Sequence, residues 1–124
     1  MKSKADLVQG WLRKAESDLV AMRASAQAGA LDAACFHAQQ AVEKYLKAYL
    51  VERDREIIHR HNLFRLLAAC SEIDPTFSQL MDVAELSRWK RATTLSFGRR
   101  RRCYLKLKWL RIGSRSWFAR WCNQ

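Results

Sequence analysis

Apolar positions recur at intervals of three and four along the first part of the chain: Val8, Trp11 and Leu12, Ala15, Leu19, Met22, Ala26. That period lays one apolar stripe along a helix. Asp6 can cap such a helix and Gly29 can end it, so the pattern predicts a first helix from Asp6 to about Ala28. Asp32 then caps a second helix, which carries two adjacent stripes. One is Ala34, Ala38, Ala41, Tyr45 and Ala48; the other is Cys35, Val42, Leu46, Tyr49 and Leu50, with Gln39 set among them. Two stripes make a wide buried face, which places this helix at the centre of its fold. The small residues of the first stripe let another helix approach closely. Lys44 and Lys47 fall on the remaining face, where water is expected.

The charged run Glu52-Arg53-Asp54-Arg55-Glu56 reads as a connection. A shorter third helix is expected to start near His61-Asn62, with Leu63, Leu66, Leu67 and Cys70 inward. Asp74-Pro75 is a strong start for a fourth helix, a cap followed by Pro at the first position. It would carry Phe77, Leu80 and Met81, and Ala84, and extend towards Trp89. Four amphipathic helices with short links predict an all-α fold, an antiparallel up-and-down four-helix bundle. No Gly-rich phosphate loop occurs, which speaks against the nucleotide-binding motifs that depend on one.

Charge divides the chain at about Arg88. Residues 1–87 hold 11 Lys and Arg against 12 Asp and Glu, whereas residues 88–124 hold 12 Lys and Arg and no acid. The basic segment also has four of the five Trp residues. Two regions are therefore expected: a helical bundle over 1–87 and a basic Trp- and Arg-rich tail over 88–124. The tail admits several readings. Arg99, Arg100, Arg101 and Arg102 could grip phosphates while Tyr104, Trp109 and Trp117 stack on bases. Trp117 and Trp121 could mark a basic amphipathic helix on an anionic membrane. A reading-frame change after about Ser87 would also leave such a break, making the tail a frame-changed or degraded end.

The N-terminal residues have neither a secretory apolar core nor a cleavage site, and no apolar run of about 18 residues occurs, so the expected location is cytoplasmic, with no transmembrane segment. Cys35, Cys70, Cys103 and Cys122 lack metal-ligand spacing. Neither a metal nor another cofactor is expected, and Cys35 and Cys70 read as buried free thiols.

The stretch from Asp32 to Leu50, with Phe36, Gln39-Gln40, Glu43-Lys44 and Leu46-Lys47-Ala48, resembles the second helix of the HEPN family (higher eukaryotes and prokaryotes nucleotide-binding domain). His61-Asn62-Leu63 followed by Leu66-Leu67 is similar to the start of that family's third helix. Trp11-Leu12, Ala15, Asp18-Leu19 and Ala21 fit its first. The resemblance covers about residues 5–87 and is most specific in the second helix. It implies a helical bundle that forms a symmetric homodimer, commonly beside a nucleotidyltransferase partner as toxin and antitoxin, with RNA or nucleotide involved. In many family members it also implies a metal-independent ribonuclease, whose Arg and nearby His lie late in the bundle. This chain has no His after His61, so the late motif is absent.

Arg53 with His59, and Arg55 with His61, have the family's order and gap but stand earlier. A His to take the ribose 2′-hydroxyl proton and an Arg to stabilise the phosphorane would suffice for such cleavage. His37, Gln40, Lys44 and Lys47 project from one side of the second helix and form a candidate nucleotide or RNA contact surface, with a solvated face as the plain alternative. The leading expectation is a helical interaction module of toxin–antitoxin type, working with a nucleotidyltransferase and RNA or nucleotide. The alternatives are an endoribonuclease toxin using the Arg/His pairs, and a truncated, non-functional remnant.

Overall fold

Helix α1 spans Lys4–Gln27 and begins at a capping box. Ser3 Oγ accepts from the Asp6 backbone N–H at 3.2 Å, and the Asp6 carboxylate accepts from the Ser3 backbone N–H at 3.1 Å. The cap is thus Ser3 and not Asp6. Asp6 sits three residues on, where its side chain reaches back to satisfy a second orphan donor. The Ser3 hydroxyl, which donates to that carboxylate at 2.7 Å, and then the Ser3 backbone N–H hold the Asp6 carboxyl below the usual carboxylate range. At the other end the chain leaves through Gly29 at φ +79°, the left-handed position that Gly occupies without strain. The structure, a computed structural model, describes residues 1–57 and 62–81.

Helix α2 spans Leu31–Glu52 and lies antiparallel to α1: Lys4 meets Asp54 at 2.9 Å, and Glu16 meets Tyr45 at 2.7 Å. Its N-cap is Ala30, which makes no side-chain bond; the expected cap, Asp32, lies in the first turn instead. A carboxylate there still favours the positive end of the helix dipole. At its C-terminus Asp54 takes a positive φ of 54°, and the Arg55 N–H returns to the Leu50 carbonyl at 2.9 Å.

Helix α3 spans Leu63–Ile73 and is capped by Asn62, whose side-chain oxygen accepts from the Phe64 and Arg65 N–H groups. Leu63, Leu66, Leu67 and Cys70 are fully buried, as their spacing predicts. Asp74 accepts from Thr76 N–H and Oγ1, and residues 75–81 form a 3-10 helix rather than the start of a regular α-helix. Ala84 and Trp89 lie outside the described residues.

The core gathers Leu19 and Met22 of α1, the wide face of α2, the inward residues of α3 and Phe77, whose ring sits 4.6 Å from that of Tyr49. The regular structure of the described residues is all helical, with no strand among them, in keeping with the expected all-α bundle. None of their helices is long and apolar enough to cross a membrane. Cys70 is a free, buried thiol. Cys35 is disulfide-bonded where a free thiol was expected, since burial alone does not fix a thiol's oxidation state.

Candidate functional site

Helix α2 is enclosed around most of its circumference. Between its first and last turns, Phe36, His37, Gln40 and Lys44 reach water along one side of it. These four fall within about 100° of arc at one hundred degrees per residue, so they form one strip. Phe36 is 45% exposed, and its ring meets His37 edge-on at 5.3 Å.

α1 meets this strip through Asp18, which sits beside the buried Leu19. One carboxylate oxygen lies 3.1 Å from His37 Nδ1. The other accepts from Lys44 Nζ. Asp18 therefore joins two α2 residues seven apart, and the three groups are mostly sheltered without being sealed from water. Farther along, Lys47 pairs with Glu43 at 2.7 Å, and both side chains are buried. The Lys47 ammonium also sits 5.3 Å from the centroid of the Trp11 ring, a cation–π contact from α1. Lys47 is thus not on a wet face. Its helical position was legible, but the Trp11 ring and the Glu43 carboxylate that receive its ammonium were not.

The other candidate residues fall elsewhere. Arg53 ends α2 and lies over the Tyr49 ring at 5.3 Å. Burial pushes the Tyr49 hydroxyl up, and Arg53 opposes that shift. Arg55 is exposed in the following loop. His59, His61, Arg99, Arg100, Arg101 and Arg102 lie outside the described residues. Sixteen residues of helix separate His37 from Arg53, about 24 Å at 1.5 Å per residue, so those two do not share a site within one chain. Sequence reasoning missed Asp18 and Phe36 as parts of the site. The available signal was an acid placed beside an apolar stripe, which periodicity reads as a boundary residue.

The profile of the HEPN domain matches residues 8–98. The chain belongs to the HEPN family. The match includes all three α-helices except the first residues of α1, and it runs past Arg88, where the charge balance changes. Comparison with curated proteins and with solved structures gave no significant match.

Proposed function

We propose that this HEPN protein is a cytoplasmic helical interaction module that forms a homodimer and works with a nucleotidyltransferase partner, as in a toxin–antitoxin pair, with RNA or a nucleotide as the associated ligand. The helical bundle over residues 1–87 would provide the interaction scaffold, and the basic segment 88–124 would add phosphate contacts. The observation that carries the preference for a module over a nuclease is that no His follows His61, where the resemblance would place the late Arg/His motif. His37, Lys44 and Lys47 are engaged by Asp18 and Glu43, and Arg53 lies at the far end of the helix.

The test uses a labelled single-stranded RNA with divalent metals chelated. The full chain is compared with a His59→Ala/His61→Ala double variant and with a variant carrying Gln at positions 99–102. Binding without cleavage, weakened in the Gln variant and steeply dependent on salt, is the expected result. Cleavage abolished by the His changes would replace this reading with an endoribonuclease using the Arg53/His59 or Arg55/His61 pair.

A further inference from the structure

We propose that the outer face of α1 around Gly10 is the surface on which two copies of this chain cross, antiparallel, about a two-fold axis. The proposal rests on the homodimer reading above and names the face that forms the dimer.

The first argument is Gly10 itself. It is the seventh residue of the 24-residue α1, well inside the helix. After proline, glycine is the residue least suited to a helix interior, because its backbone loses the most freedom on folding. Nothing within the chain requires it there. Its φ is not in the left-handed region, unlike that of Gly29. A Cβ placed on it meets no neighbouring atom of the described residues within 4 Å. A bare stretch of backbone facing open space is what lets a second helix come close.

The second argument is the charge order around it. Asp6, Leu7, Arg13 and Lys14 all lie within about 60° of Gly10 at about one hundred degrees per residue. All four are exposed, and Leu7 is among the few large apolar residues that are. Among the described residues no carboxylate pairs with Arg13 or Lys14. The capping bonds of Asp6 from Ser3 both reach Oδ2, which leaves Oδ1 for a cation. A two-fold crossing at Gly10 can run in either sense. In the parallel sense each residue meets its own copy, so Asp6 faces Asp6 and cation faces cation. In the antiparallel sense residues before Gly10 meet those after it. Asp6 of one copy then faces Arg13 and Lys14 of the other, and Leu7 lies along their methylene stems. Opposite charge selects the antiparallel sense, and symmetry makes every contact twice. The inward stripe of α1, from Val8 to Met22, stays packed in the bundle.

The experiment measures the dimer dissociation constant of the full chain by sedimentation equilibrium, with urea unfolding at a dilution where the chain is monomeric. Gly10→Leu should raise the dissociation constant by about tenfold or more, yet raise the urea midpoint of the monomer. A structural role alone would not move the two in opposite directions. Lys14→Glu sets a second acid against Asp6 and should raise the constant by about tenfold, and adding Asp6→Asn should recover much of that loss. Arg23→Glu makes the same charge change on an exposed part of α1 about 140° round from Gly10, and should leave the constant unchanged.

A dimer that ignores either Gly10→Leu or Lys14→Glu would overturn this face and leave the homodimer reading standing. Equal weakening by Arg23→Glu would overturn it too, because net charge and not a face would then be at work. A chain that stays monomeric at every concentration reached would sink the homodimer reading with it.

Discussion

Cys70 has no exposed surface and contacts the Leu46 carbonyl through its sulfur at 3.9 Å. Burial raises its pKa from 9.0 to about 12. The folded state therefore keeps a proton that the unfolded chain releases above about pH 9, so stability should fall with rising pH from there until about pH 12. The limiting slope is about 1.4 kcal/mol per pH unit. Urea midpoints of the parent should drop between pH 8 and pH 10.5, and the drop should be smaller in Cys70→Ala. The same burial makes Cys70 slow to alkylate until the chain unfolds. The two lysines of α2 offer a second contrast. Lys44→Met leaves the Asp18 carboxylate its second partner, His37, and some access to water, and should cost about 1 kcal/mol. Lys47→Met breaks a pair whose two side chains are both buried and should cost more, roughly 3 kcal/mol. Equal losses in denaturant titration would show that the enclosure of Lys47 has no energetic consequence.

Each helix has its own boundary chemistry, and that chemistry sets what can be tested. Asn62→Ala removes an acceptor shared by two N–H groups and should destabilise by about 1 kcal/mol, with faster hydrogen exchange confined to the first turn of α3. Gly29→Ala should cost a similar amount, about 1 kcal/mol, because a Cβ is strained at positive φ even though open space surrounds it. The apolar stripes of α1, α2 and α3 were readable because burial repeats with the helical period, and all four inward residues named for α3 are enclosed. Exact boundaries were less readable. Ser3 and Asp6 are both competent at a helix start, and only their reciprocal bonds decide between them. Asp74-Pro75 correctly marks a turn into helical backbone, but the Asp74 side chain tightens the first residues after it into the 3-10 form. The strip on α2 was recognised as a face. The partner that organises it, Asp18, comes from another helix nineteen residues earlier, and no pattern within α2 contains that information.

For the molecule as a whole, the family match and the enclosed α2 describe a scaffold whose central helix is held from both sides, by α1 through ion pairs and by α3 through fully buried leucines. Leu66→Ala should therefore cost about 2–5 kcal/mol, enough to consume much of a small domain's stability. A homodimer is expected from the proposed function, and sedimentation equilibrium of the full chain should give twice the 14.5 kDa chain mass. A monomer at micromolar concentration would argue against that part of the proposal. Only the short turn around Gly29 separates α1 from α2, so the contacts between these two long helices close a small loop. Local closure of that kind is fast, and it becomes available as soon as both helices have left the ribosome. The hairpin can accordingly form during synthesis while its α3-facing leucines wait for their cover, which makes the interval before Leu63 through Cys70 emerge the point at which the nascent chain most needs a chaperone.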